Sequence, residues 1–302
     1  MKRTRFAPSP TGLMHVGNAF AALQCQQWAL SHHAELLLRI EDIDYTRCRP
    51  EYTQSIMQDL QWLGIQWHGN VRQQSEYFQD YQKALSQLQS QELIYPCFCT
   101  RKDIQQEIKS IGVAPHNNDV HDPYPGICRD ISTSKQRQRI QDEAFAWRLD
   151  VKKASKTLHK PIYWLDEQGK KNHVHPETLG DIVIARKDIG ISYHLAVVVD
   201  DALQAITHII RGEDLRSSTA IHRLLQALLQ LPTPTYQHHR LILNTQGKRL
   251  AKRNQSTTLK SLREAGISPQ TLRNFLMQEG VTWPFASDAS AHNIAQQLGR
   301  RI

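Results

Sequence analysis

Three stretches of the chain gather residue types that handle anions, and a fourth gathers thiols. The first runs Arg5-Phe6-Ala7-Pro8-Ser9-Pro10-Thr11-Gly12-Leu13-Met14-His15-Val16-Gly17-Asn18. Pro8 and Pro10 stiffen its loop, and Gly12 and Gly17 let backbone come close to a ligand. A helix beginning near Asn18 turns free N–H groups and a positive dipole end toward that loop, which suits phosphate. His15, one turn earlier, can donate to the same anion. The second stretch, Leu38-Arg39-Ile40-Glu41-Asp42-Ile43-Asp44, is an apolar run that ends in acids. The third, Gly247-Lys248-Arg249-Leu250-Ala251-Lys252-Arg253-Asn254, offers a run of cations in a loop. The fourth pairs Cys97-Phe98-Cys99 with Cys128 downstream in Tyr124-Pro125-Gly126-Ile127-Cys128. Three thiolates and one further ligand make a closed tetrahedral structural metal site. His116, His121 and Tyr124 are the candidates for the last place, and composition alone favours a histidine. Cys25 and Cys48 read as core or near-surface thiols without a partner. His32, His33, His173, His175, His238 and His239 show no ligand spacing, and Trp147, Trp164 and Trp283 read as packing residues.

These groups need a scaffold, and the hydrophobic periodicity supplies one. Phe20, Leu23, Gln27 and Leu30 recur at helical spacing over 18–33. Glu35–Ile40 reads as a buried parallel strand whose carboxyl end faces a ligand crevice. Pro50 opens a helix with Ile56, Leu60 and Leu63 on one face and Gly64 at its end, and Tyr77, Tyr81, Leu85 and Leu88 mark another. Residues 1–95 thus alternate strand and helix, as in the first half of a nucleotide-binding sheet. Residues 96–185 change character. A polar, Lys/Arg-rich segment at 132–139 is followed by strand-like pieces at 145–149, 161–165 and 181–185, which reads as an α+β insertion. In the second half, 186–254, His194–Val199 reads as another buried strand running into Asp200-Asp201. Ile206–Ile210 reads as a strand ending at Arg211. A helix over Ala220–Leu231 is capped by Ser217 or Ser218 and stopped by Pro232. Short helices at about 259–265 and 269–278 make a tail, 255–302.

With 302 residues, 40% of them apolar and 22% charged, the chain has the size and composition of a globular protein with a large domain plus an insertion. It has no apolar run long enough for a membrane span and no apolar segment behind Lys2, Arg3 and Arg5 to make a signal peptide, so the expected setting is cytoplasmic. A net charge of +8 favours a polyanionic partner, RNA or DNA. Five cysteines do not suggest a disulfide framework.

Taken together, the first three stretches resemble the glutamyl branch of the class I aminoacyl-tRNA synthetases. They match in turn its "RFAPSPTG…HIGH" region, its "RIED" strand end and its "KMSKS" loop, over a span from Arg5 to about Asn254. The resemblance implies an α/β, Rossmann-type catalytic domain split by a zinc-bearing α+β insertion and followed by a short helical tail. The chain has no room for the helical anticodon-binding region of the full-length members. It is most similar to the truncated paralogues, which activate glutamate with ATP and attach it to queuosine in the anticodon of tRNA(Asp). On that resemblance Arg5 and Arg211 are the cations for the carboxylates of L-glutamate, Glu41 meets its ammonium, and Ser9 and Tyr193 hydrogen-bond in the same pocket. His15 and Lys252 act on the phosphates of ATP, which brings Mg²⁺, with Gly17 and Asn18 beside them. The family's Cys-x-Cys followed by Tyr-x-x-x-Cys makes Tyr124 the fourth ligand of a structural zinc, with Cys97, Cys99 and Cys128. Three positions depart from the pattern: Asn18 replaces the second HIGH histidine, Arg249 the first KMSKS lysine and Ala251 its serine. The rival readings are a truncated enzyme that charges a tRNA 3′ end, a nucleotidyltransferase with another acceptor, and an inactive paralogue that binds tRNA.

Overall fold

The alternation of strand and helix expected over the first 95 residues is present. A computed structural model describes residues 1–100, 102–104, 124–186, 188, 190–247, 250, 257–285 and 289–299. In chain order the elements are β1 (Arg3–Phe6), α1 (Val16–Ser31), β2 (Glu35–Ile40), α2 (Pro50–Trp62), β3 (Arg72–Gln73), α3 (Phe78–Ser90) and β4 (Ile94–Cys97). Then come α4 (Thr133–Asp142), β5 (Ala146–Leu149), α5 (Val151–Thr157), β6 (Tyr163–Leu165), β7 (Lys171–His173), β8 (Val183–Arg186) and α6 (Tyr193–Leu203). The chain closes with β9 (His208–Gly212), α7 (Ser218–Leu228), β10 (Thr235–His239), α8 (Leu259–Glu264), α9 (Pro269–Leu276) and α10 (Ala291–Gly299). These elements form two compact units, one of residues 1–76, 205–216 and 234–302, the other of residues 77–204 and 217–233.

The first unit is built on parallel strands. β1 pairs with β2, β2 with β3, and β9 with β10, each in parallel register. Thr207 joins the two sets: its N–H donates to the Arg3 carbonyl at 3.0 Å, and its Oγ1 accepts from the Arg3 N–H at 2.8 Å. β1 therefore lies beside β9, and the strands run in the order β3, β2, β1, β9, β10. The Cys25 thiol of α1 lies 3.6 Å from the Arg5 carbonyl and 3.5 Å from the Ile210 carbonyl, so α1 covers the seam between β1 and β9. Leu36, Leu38 and Ile40 of β2, Phe20 and Leu23 of α1 and Ile56 and Leu60 of α2 share one buried core. The same core takes in Leu259, Leu272, Phe275, Trp283, Ile294 and Leu298. The helical tail is thus part of the core of this unit, and it includes α10, which Ser290 caps by accepting from the Asn293 N–H at 3.2 Å and which buries Ile294 and Leu298.

The second unit holds an antiparallel sheet in the order β4, β5, β8 and a hairpin of β6 and β7. Asp181, buried, ties its strands together: it accepts from Tyr95 Oη, from Arg129 Nε at 2.8 Å and from the Val151 N–H at 3.0 Å. Two expectations are corrected here. His194–Val199 is the body of helix α6, not a strand. Ser192 caps it by accepting from the Leu195 N–H, and Asp200 within it accepts from the buried Tyr81 hydroxyl at 3.0 Å. A continuous apolar run cannot distinguish a buried strand from a buried helix by periodicity, and here the cap and the length decide for helix. The polar segment at 132–139, for which no element was expected, forms the N-cap Ser132 and the first turns of helix α4. α7 ends at Leu228, before Pro232, where Gln230 takes a positive φ of 55°. Among the described residues, no helix is long and apolar enough to cross a membrane.

Candidate active site

The loop between β1 and α1 is built around His15, which is the N-cap of α1. The helix starts at Val16, two residues earlier than expected, and the imidazole itself closes its first turn. Nδ1 of His15 accepts from the Gly17 N–H at 3.0 Å, and Oδ1 of Asn18 accepts from the His15 N–H at 3.2 Å. This reciprocal pair is a capping box. It has two chemical consequences. An Nδ1 that accepts leaves the ring proton on Nε2, so His15 presents a donor while its other nitrogen is held by the helix. Asn18, which stands where the family has a second histidine, serves the helix start through its oxygen. Gly17 is required by close approach: a β-carbon there would lie 2.9 Å from Cε1 of the His15 ring.

Beside this loop, three parallel strands deliver the charged residues at their carboxyl ends. Arg5 lies near the end of β1, Glu41 one residue past β2 and Arg211 near the end of β9, and all three are buried. The Glu41 N–H donates to the Pro8 carbonyl at 3.0 Å, which carries the pairing of the first two strands past their ends. Arg39, fully buried, donates through a terminal nitrogen to Oε1 of Glu41 at 3.1 Å. The Glu41 carboxylate thus sits buried against a guanidinium of β2. Arg211 donates from Nε to Nε2 of His238 at 3.3 Å. Ser9 is exposed in the loop. Asp42 and Asp44 serve the local fold: Asp42 accepts from the N–H and hydroxyl of Ser75, and Asp44 from Thr46 and Arg47.

The cationic loop is anchored at both ends within the same unit. On its near side, Asn244 accepts from the N–H groups of Gln246 and Gly247. On its far side, Thr258 bridges to His15, and the Leu259 N–H donates to the Met14 carbonyl at 2.9 Å. Thr258 also caps α8 by accepting from the Ser261 N–H at 3.1 Å. Lys248, Arg249, Ala251, Lys252 and Arg253 lie outside the described residues, and Thr258 and Leu259 downstream of them are joined to the histidine loop.

In the second unit, Tyr193 is the first residue of α6, with its ring 5.4 Å from that of His194 and 5.6 Å from that of His222. The thiols also lie in this unit. Sγ of Cys97, Cys99 and Cys128 all fall within 4.8 Å of one another. The Tyr124 hydroxyl is 3.3 Å from Cys97 Sγ and 3.4 Å from Cys99 Sγ, and Cys99 Sγ is 3.5 Å from Cys128 Sγ. With metal–sulfur bonds of about 2.3 Å, a tetrahedral site has donor separations of about 3.8 Å. The four atoms therefore bracket the size such a site needs, and all five cysteines of the chain are free of disulfides. Arg148 lies over the Tyr124 ring at 3.9 Å. Burial works to raise the Cys97 thiol, but hydrogen bonds from Tyr124 and the Cys99 backbone, with Arg148, hold it below its usual range. His116 and His121 lie outside the described residues.

The family described as class I tRNA synthetases (E and Q), catalytic domain, matches residues 1–298. The chain belongs to that family. It is 42% identical over 285 residues to a glutamyl-Q tRNA(Asp) synthetase of Rhodobacter capsulatus, covering 90% of this chain and 99% of that one. It is 37% identical over 285 residues to a glutamyl-Q tRNA(Asp) synthetase of Nitratidesulfovibrio vulgaris, covering 91% of this chain and 85% of that one. Among solved structures it is similar to a glutamate tRNA ligase from Elizabethkingia meningosepticum in complex with its amino acid, at 27% identity and a TM-score of 0.75. That match covers 98% of this chain and 64% of the ligase.

Within this synthetase scaffold, the first unit brings together His15, Gly17, Asn18, Arg5, Ser9, Glu41 and Arg211 on one sheet and its first loop, and the second unit brings together Cys97, Cys99, Tyr124 and Cys128. Sequence reasoning missed three residues that hold them. Arg39 was visible only as part of a motif. Thr258 had only its capping position to recommend it. His238, read as one of several histidines of no special role, touches Arg211; its signal was its register opposite that arginine in an adjoining strand, which no local spacing reveals.

Proposed function

We propose that the chain activates L-glutamate with ATP and transfers it to the queuosine base in the anticodon of tRNA(Asp). The observation that carries this reading is the match to the two glutamyl-Q tRNA(Asp) synthetases, one of them along almost its whole length. In the activation step a glutamate carboxylate attacks the α-phosphorus of ATP in line and pyrophosphate leaves. The protein contributes position and charge. Arg5 and Arg211 hold the carboxylates, since a guanidinium fork suits them, and Glu41 takes the ammonium. Ser9 and Tyr193 add hydrogen bonds. His15 donates from Nε2 to the phosphates, the helix start at Gly17 and Asn18 adds its dipole, and Lys252 reaches the phosphates from the cationic loop. Mg²⁺ accompanies ATP. The functional division runs through residues 1–95, an insertion at 96–185, a second catalytic half at 186–254 and a tail at 255–302, all in the cytoplasm.

Cys97, Cys99, Cys128 and Tyr124 would hold one structural zinc, which three thiolates and an oxygen select over harder ions. Metal analysis of the purified chain should return about one zinc per chain. Tyr124→Phe should lose it to a chelator faster, and a chain that binds no zinc would remove this part of the proposal.

The test of the whole reading is transfer of labelled glutamate to tRNA from cells with and without queuosine, each with the 3′-terminal adenosine intact or removed. Labelling that needs queuosine and survives loss of the adenosine is the expected result. Labelling that needs the 3′ end and ignores queuosine would replace it with tRNA charging, and no labelling in any sample would replace it with binding alone.

A further inference from the structure

β10 lays a two-ring platform under Arg211. His238 stands opposite Arg211 in the parallel register of β9 and β10, and Tyr236 lies two residues earlier on the same face. The two rings are parallel within 6°, with centroids 6.3 Å apart. The guanidinium carbon of Arg211 sits 5.2 Å from the centre of the Tyr236 ring, which is fully buried. Its Nε–H donates to Nε2 of His238. An arginine can grip a carboxylate side-on, through Nε and one terminal nitrogen, or end-on, through its two terminal nitrogens. Nε carries one hydrogen, and His238 takes it.

We propose that His238 is a positioning residue for glutamate binding, which fixes the Arg211 guanidinium so that the ligand carboxylate is met end-on by the two terminal nitrogens. The proposal rests on the reading of Arg211 as a glutamate cation. The imidazole can play this part only while neutral, with its proton on Nδ1. Burial, then the charges of Arg211 and Arg216, push its pKa down to about 3, so it stays neutral across the physiological range. The Tyr236 face bars the guanidinium from tipping away from the strand, and the cation–ring contact adds to its hold.

The test uses glutamate-dependent ATP–pyrophosphate exchange by the full chain. His238→Leu removes the acceptor at similar volume, and it should raise KM for glutamate about tenfold while KM for ATP changes less than about twofold. His238→Gln, whose amide oxygen can occupy the place of Nε2, should restore KM to within about threefold of wild type. His238→Asn, whose oxygen falls short, should not. The Gln and Asn pair decides the matter if the leucine variant does not fold. A structural role alone would move both KM values together, or would leave Gln and Asn alike, and either result overturns the proposal. Arg211→Lys separates the two readings. If it raises KM for glutamate and His238→Leu does not, the positioning role falls and the arginine's role stands. If Arg211→Lys leaves KM unchanged, both fall.

Discussion

At the scale of single residues, the site depends on how His15 divides its two nitrogens. One closes the first turn of α1 and the other carries the ring proton. Gly17→Ala would place a β-carbon against the ring at 2.9 Å and push it out of that arrangement. The expected outcome is a loss of about tenfold or more in the rate of glutamate-dependent exchange, with the thermal midpoint within a few degrees of wild type. An unchanged rate would show that the ring position does not matter. Lys252→Ala should lower kcat for the same exchange by about 100-fold, as expected for one donor to a transition-state anion, with a smaller effect on KM for glutamate. A rise in KM alone would place Lys252 with the substrate rather than with the phosphates. His15, Arg5, Glu41 and Arg211 were legible because they fall in ordered motifs. Arg39 stands in the same motif as Glu41 and touches it two residues away, whereas His238 touches Arg211 from the neighbouring strand, and a contact of that kind leaves no local pattern.

At the scale of elements, α8 is the strut behind the cationic loop, and one ion pair clamps it to α2. Arg263 of α8 lies 3.0 Å from Oδ1 of Asp59, a carboxylate of α2 with no exposure and no hydrogen-bond partner. Burial pushes the Asp59 pKa up to about 6, with Arg263 and Lys260 pulling the other way. An unfolded aspartate titrates near about 3.9. Between those two values the folded chain keeps a proton that the unfolded chain gives up. The contribution of Asp59 is therefore most favourable below about pH 4 and is lost as pH rises through about 6. Asp59→Asn should remove that slope, so its thermal midpoint should climb relative to wild type from pH 4 to pH 7; a constant difference would mean that the carboxyl does not titrate there. Arg263→Ala strands the carboxylate and should cost about 3 kcal/mol at pH 8, read by denaturant unfolding. The elements themselves were legible where a Pro, a Gly and an amphipathic face mark them, as in α2, or where an apolar run ends in acids, as in β2. The run at 194–199 was misread because a nearly all-apolar segment carries no period, and β10 was missed because Thr235–His239 has no apolar run, although Pro232 and Pro234 precede it.

At the scale of the whole molecule, a net charge of +8 sets the terms of the encounter with tRNA. If about six phosphates are neutralised, affinity for tRNA should fall about 10³-fold between 50 and 200 mM salt. KM for glutamate should change little over the same range if the buried Arg5, Glu41 and Arg211 set it, as proposed. A fall of less than about tenfold in tRNA affinity would mean that the basic surface has another purpose.

The division of the chain between its two units has a consequence for how it is made. Thr207, which joins β1 to β9, is translated about 200 residues after β1. At about 5–20 residues per second, that leaves β1 and β2 without their neighbour for about 10–40 s. The other unit has all its parts by residue 233, so it can finish first. The sheet that carries Arg5, Glu41 and Arg211 closes last, when α8, α9 and α10 supply the final part of its core. Nascent chains paused before that point should hold a folded insertion and an open sheet, and they would be the stage at which a chaperone finds something to bind.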